Sequence, residues 1–301
     1  PPPPPPPPTT THPLSSAASD VYKRQVSTLF WDGLRKRIVA QIDAWSGVVG
    51  VCVRDLTDGT TLAINADEVF PTASTIKIHV LLTMMKLADA GKLDLAQRFH
   101  FSPEAGTEGS GVLAFLEDGV ELTLRDAAVL MISLSDNTAT NVCIDQAGMD
   151  RVNHLCRELG LSQTTLRRKM MDAEAVRADR ENISTPAELV ELMTLLYLGK
   201  PSAWASRRSL DLLKKPKYGF IDRAVTDGTI IANKPGAVEG VRCDSGILYL
   251  PRRPYAVAIM TKYSDGSVFE QDAFLVRLAE TIHARMVVWD ESNAFGHRGL
   301  K

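Results

Sequence analysis

Apolar and polar positions run along this chain in two rhythms. From Leu29 to Trp45, apolar side chains fall at Leu34, Ile38, Ile42 and Trp45, spaced to share one face of a helix. The rhythm then changes. Val48 to Asp55 is rich in β-branched residues, Asp58-Gly59 supplies a turn, and Thr60 to Asn65 returns, which predicts a hairpin. A long helical stretch follows. Ser74 to Ala90 carries Ile76, Val80, Leu81, Met84, Leu87 and Ala88 at helical spacing, and Gly91 stops it. Leu124 to Leu134, Asn137 to Ala147 and Met149 to Leu159 read as further helices, the last two ended by Gly148 and Gly160. Thr185-Pro186 with Glu188 is a helix start for a segment through Leu196, and Ser206 to Lys215 is a shorter helix. Strand character returns at Thr229 to Lys234, then in a hairpin of Ser245–Leu250 and Tyr255–Met260 around Pro251 to Pro254. Phe269 to Val288 closes the pattern as an amphipathic helix with Phe274, Leu275, Leu278 and Ile282 on one face.

Strands at both ends with helices between predict an α+β fold: an antiparallel sheet flanked by terminal helices, with an inserted all-α lobe. The α/β lobe is expected over about 26–70 and 216–301, the all-α lobe over about 71–215. A cleft between two such lobes is a favoured place for a ligand. Upstream, Pro1 to Pro8 cannot join a helix or central strand. Ser15 to Gln25 resembles translated adaptor sequence. Residues 1–25 therefore read as a disordered tail and a non-native scar, with no apolar segment of signal-peptide type.

Composition narrows the function classes. The 301 residues hold 34 Lys and Arg against 36 Asp and Glu, a net charge of −2, so the basic excess of a nucleic-acid binder is missing. Hydrophobic residues at 45% and charged residues at 23% are ordinary globular usage. No apolar run approaches the ~18 residues of a membrane span. Cys52, Cys143, Cys156 and Cys243 are too scattered for a zinc site and read as separate buried thiols. The six histidines lack metal-ligand spacing, and no glycine-rich phosphate loop is present, so neither metal nor cofactor is implied.

Chemistry gathers in three short motifs. Ser74-Thr75-Ile76-Lys77 opens an apolar-periodic helix, which brings the lysine amine round to the face of the serine hydroxyl. A serine hydroxyl needs a base to become a nucleophile, and a partly desolvated lysine can be that base. Ser135-Asp136-Asn137 lies at a helix junction, where helix capping is the ordinary role of Asp136 or Asn137. Lys234-Pro235-Gly236 ends a strand, where a β-turn is the ordinary reading. Each motif alone is weak; the ordered trio is far less expected by chance.

In that order, with these elements around them, the motifs resemble the class A β-lactamase and penicillin-binding protein family, whose signature is S-x-x-K, S-D-N and K-T-G. The likeness runs from about Leu29 to Val288 and implies a β-lactamase-like fold and a serine acyl-enzyme. It also implies roles. Ser74 would be acylated and Lys77 would take its proton. Ser135 would relay a proton to the leaving nitrogen, and Asn137 would position Lys77 and the substrate amide. Lys234 would hold Ser135 and attract a carboxylate, the backbone at Gly236 would line the substrate, and the N–H groups of Ser74 and Ala237 would form the oxyanion hole. Arg242 would add a carboxylate contact. The substrate implied is a β-lactam or a cell-wall peptide, handled by a monomer outside the cytoplasm, in the periplasm or secreted. A D-alanyl-D-alanine peptidase, an esterase and a non-hydrolytic penicillin sensor share the same implied fold.

Two departures from the pattern stand out. Pro235 replaces the hydroxyl residue of the third motif, and proline is tolerable only on an edge strand. The family's loop glutamate, which activates the hydrolytic water, has no counterpart: counting back from Thr185-Pro186 puts Lys169 near its place, and Asn182 at the loop-closing acid. Asp172 and Glu174 are the substitutes the sequence offers. Acylation is thus better supported than deacylation.

Overall fold

The structure, a computed structural model, describes residues 16–293 and 295–298. Its main sheet has five antiparallel strands in the order β2-β1-β9-β8-β7. These are β1 (Val48–Asp55), β2 (Thr61–Ile64), β7 (Ile230–Val238), β8 (Val241–Tyr249) and β9 (Tyr255–Lys262). Two small pairs join distant loops: β3 (Phe70–Pro71) with β6 (Ile183–Ser184), and β4 (Arg98–His100) with β5 (Glu121–Thr123).

Side-chain alternation splits the sheet into two cores. Val49, Val51 and Val53 of β1 and Tyr255, Val257 and Ile259 of β9 face outward. They are covered by Trp31, Leu34 and Ile38 of α1 (Ser16–Ile42) and by Phe274, Leu278 and Ile282 of α10 (Val268–Glu291). The opposite face presents small residues, Ala256 and Ala258 among them, to the helical lobe. Gly50 of β1 is necessary there, because a Cβ would stand 2.7 Å from the Phe70 ring and from Pro186.

The helical lobe comprises α2 (Lys77–Asp89), α3 (Leu124–Ser133), α4 (Asn137–Ala147), α5 (Met149–Glu158), α6 (Ala173–Arg177), α7 (Pro186–Tyr197) and α8 (Ala203–Leu213). A short α9 (Phe220–Ala224) leads back to the sheet. Their starts obey local chemistry: Thr123, Asp136, Asp172, Thr185 and Ser202 each accept a backbone N–H of the first turn. The α+β architecture expected from the pattern is the one observed.

Two differences have local causes. Helix α1 begins at Ser16, so residues 16–25, read above as tail, are helical. No proline or glycine lies between Pro13 and Gly33, and nothing stops propagation upstream from the packed turns at Trp31 and Leu34. The proline run and the rest of residues 1–15 lie outside the described residues. The helix predicted from Ser74 starts instead as a 3-10 turn, Ala73–Ile76, and becomes α-helical at Lys77.

Candidate active site

Three backbone segments converge between the lobes. Ser74 stands on the 3-10 turn and Lys77 at the first residue of α2. Ser135 sits in the α3–α4 junction, and β7 passes alongside as the edge strand of the sheet. The Ser74 and Ser135 hydroxyl oxygens are 2.9 Å apart. The Lys77 amine, fully buried, donates to the Ser135 carbonyl at 2.7 Å, to the Ser135 hydroxyl at 3.1 Å and to Asn137 Oδ1 at 3.1 Å. Asn137 is itself held by its Nδ2 donating to the Glu108 carbonyl at 2.9 Å. The amine therefore reaches Ser74 through the Ser135 hydroxyl, a detail that motif spacing does not reveal.

Burial and the nearby Lys234 charge hold Lys77 well below the ordinary lysine value, with Asp136 opposing. Asp136 has a structural task as well. One of its oxygens caps α4 at Ala139 N, and the other accepts the N–H groups of Val112 and Leu113, fastening that loop to the junction. Lys234 is buried, and its amine donates to the Pro235 carbonyl at 2.9 Å. Desolvation lowers its pKa to about 7, partly offset by the Asp244 carboxylate.

Strand register explains how Pro235 is tolerated. The turn at Glu239-Gly240 closes on the pair Val238 and Val241, and β7 pairs residue by residue with β8 from there. Counted from that closing pair, Gly236 and Lys234 bond to β8, whereas Pro235 and Ala237 turn their nitrogens outward. A proline in that place costs no ladder bond. The N–H of Ala237 then faces the groove it lines together with Ser74. Gly236 is packed so closely that a Cβ would stand 2.7 Å from Ser74 N and 2.9 Å from the Thr72 carbonyl oxygen.

The pocket at Ser74 is lined by Gly109, Ser110 and Asn137 on one side and Ala237 and Val238 on the other. Arg168, Met170 and Met171 form its loop wall. Three of the six non-glycine residues with positive φ in the described chain lie here: Ala73 (44°), Ser135 (54°) and Met171 (60°). Backbone held in that region is strained, and such strain collects at functional sites. Ser74, Asn137 and Ala237 of this lining stand in or beside the sequence motifs, whereas Arg168, Met170 and Met171 belong to none.

The other sequence candidates lie elsewhere. Asp172 caps α6 by accepting Ala175 N at 2.9 Å, and Glu174 is exposed in the first turn of that helix. Neither lines the pocket. Lys169 turns outward to Asp145 at 2.6 Å. Asn182 does brace the loop, accepting the N–H groups of Arg167 and Arg168 and donating to the Arg168 carbonyl. Arg242 is tied at 2.7 Å to Asp272 and donates to the carbonyls of Val238 and Val241, so it buttresses the β7–β8 turn from behind the pocket. No cluster of metal-ligating side chains occurs among the described residues.

The model of the β-lactamase enzyme family matches residues 33–286. The chain belongs to that family. Among solved structures, a β-lactamase from Sphaerobacter thermophilus is 31% identical, aligned over 86% of this chain and 98% of its own, with a TM-score of 0.77. PBP-A is 26% identical over 85% of this chain and 96% of its own, with a TM-score of 0.76. A variant of PBP-A, similar to this chain to the same 26%, is an acyl-enzyme complex with penicillin G. A class A β-lactamase described as that of the last common ancestor of Gram-negative bacteria is 25% identical over 84% of this chain and 99% of its own, with a TM-score of 0.77. This member of the family is thus a β-lactamase-like hydrolase.

Proposed function

We propose that this protein opens β-lactam amides through an ester at Ser74 and releases the acyl group slowly. The observation that supports acylation is the chain of contacts from Lys77 through Ser135 to Ser74. In the uncharged state Lys77 accepts a proton from the Ser135 hydroxyl, which accepts one from Ser74 as its Oγ bonds to the lactam carbonyl carbon. The negative charge that develops on the lactam carbonyl oxygen falls between the N–H groups of Ser74 and Ala237. The C–N bond then breaks, and its nitrogen takes a proton from Ser135, resupplied by Lys77. Lys234 supplies positive charge for the substrate carboxylate, and Asn137 orients the amide beside Lys77.

Slow release is supported by the makeup of the pocket wall, which contains no aspartate or glutamate. A water entering beside the ester would meet Met170, Met171 and Arg168, whose guanidinium is held by Glu181 at 2.8 Å and by the Lys169 carbonyl. This favours a penicillin-binding behaviour over rapid turnover. Intact-mass spectrometry after mixing with benzylpenicillin tests it. An adduct of the full benzylpenicillin mass that persists through repeated sampling is expected. An adduct that clears as fast as it forms would mean efficient hydrolysis, and no adduct together with ester cleavage would indicate an esterase. Asp172→Asn and Glu174→Gln are each expected to leave the adduct lifetime unchanged within about twofold, as surface substitutions away from the reacting atoms do. A lifetime extended manyfold by either would make that acid the deacylating base.

The charge states also set a pH dependence. Acylation uses neutral Lys77 and charged Lys234, so its rate should rise and then fall with pH. Because Lys234 titrates near 7, its positive charge is present below that value and lost above it, placing the falling limb around neutrality. Stopped-flow acylation across the pH range checks this, and Lys234→Arg should move the falling limb to higher pH. A rate that stays flat through neutrality would remove Lys234 from carboxylate recognition.

A further inference from the structure

A groove at the far end of the helical lobe has no part in the chemistry above. Its floor is Met85 of α2, Leu95 and Leu212, the first two buried. One wall is a face of α8 on which Trp204, Arg208 and Leu212 recur every four residues, so a helix stripe that would ordinarily be solvated is turned into the groove. The Arg208 guanidinium lies 5.5 Å from the centre of the Trp204 ring, and the indole is still 38% exposed. Lys215 continues the rim beyond α8, and Arg125, in the first turn of α3, closes it from the other side.

The charges here are only partly balanced by the protein. Arg125, Arg208 and Lys215 face the groove with Asp211 as the one carboxylate in its lining, and none of the four makes an ion pair within 4.0 Å among the described residues. That is a cationic rim over an apolar floor, on a chain whose net charge is −2. A flat apolar body would cover the floor and stack on Trp204, while an anionic end would meet the guanidinium groups, which favour planar oxyanions.

We propose that this groove is a second ligand site, for a small amphipathic anion with an aromatic body and a terminal carboxylate, sulfonate or phosphate. It shares no lining residue with the pocket at Ser74. Met85 lies eight residues along α2 from Lys77, about 12 Å at the helical rise. Arg125 likewise begins the helix whose other end leads to Ser135. The site therefore grips both helices that deliver the candidate catalytic side chains, at their opposite ends.

Isothermal titration with 2-naphthalenesulfonate, with neutral 2-naphthylmethanol as the control, tests the assignment. The sulfonate is expected to bind at one site, and the alcohol about tenfold or more weaker, since a charge-assisted contact is lost. The double substitution Arg125→Glu and Arg208→Glu, both on exposed positions, should weaken the sulfonate by about tenfold or more without changing the melting temperature. Protein acylated at Ser74 by benzylpenicillin and then freed of unbound drug should keep the same affinity. No binding, equal affinity for the alcohol, or indifference to the double substitution would overturn the proposal. So would loss of probe binding in that acylated protein, because it would put the probe in the pocket at Ser74. The charge-reversal arms stand whether or not the β-lactam reading holds.

Discussion

Ser74→Ala will leave a folded protein that forms no adduct with benzylpenicillin, and Lys77→Met will slow adduct formation by about 10²–10⁴, the range for losing a positioned general base. The first result follows from removing the atom that is acylated. The second is less obvious, because the hydrogen bonds of Lys77 run to Ser135 and Asn137 and its amine is linked to the nucleophile through the Ser135 hydroxyl. Ser135→Ala should therefore slow acylation too, although both the nucleophile and the base remain. Methionine keeps most of the buried volume of Lys77 but leaves the Ser135 carbonyl and Asn137 Oδ1 without their donor. A stability loss on the order of 1–3 kcal/mol per orphaned acceptor is expected alongside. Melting temperature and acylation rate must be measured on the same samples. If Lys77→Met stays folded and acylates at the parental rate, the base lies elsewhere. If Ser135→Ala acylates normally while Lys77→Met does not, the amine reaches Ser74 without the relay.

Much of this arrangement was legible in the sequence because it rests on local rules. The apolar spacing of α1, α2 and α10, the glycines that end α4 and α5, the β-branched run of β1 and the hairpin of β8 and β9 carry the layer order, and Thr185-Pro186 marks the start of α7. The three motifs gave the residues that meet at Ser74. What stayed hidden depends on contacts between distant segments. The pairs β3–β6 and β4–β5 are two or three residues long and have no period to detect. The positive φ of Ser135 is imposed by the junction and not by its side chain. Arg242 reads as a carboxylate ligand until Asp272, thirty residues on and in another element, is seen to hold it. Asp172 is the opposite case: its role is local, an acid capping the short helix that follows it, and needs no distant contact to be seen.

Pro235 and its neighbour Gly236 bring the local and the distant together. Proline at 235 is harmless because edge geometry leaves its nitrogen facing outward, and the same alternation presents Ala237's N–H to the groove. The glycine between them then fixes how near that N–H comes to the one on Ser74. Gly236→Ala should accordingly lower the acylation rate by about 10²–10³, the cost of disabling one oxyanion donor. The reason is steric. The added methyl would sit 2.7 Å from Ser74 N, 2.9 Å from Thr72 O and 3.0 Å from Thr75 N, all backbone atoms that no rotamer change can move. Because β7 lies at the sheet edge, the least costly response is for the strand to back away from the 3-10 turn, which opens the space between the two donors. Affinity for the substrate carboxylate should change less than the rate, since Lys234 projects from the part of the strand still held by β8. Ile230→Ala, at an exposed position at the other end of β7, serves as the control and should acylate within about threefold of the parent. A Gly236→Ala protein that acylates as fast as this control would show that the strand edge does not hold the oxyanion, and the donor would have to be sought on the loop side of the pocket.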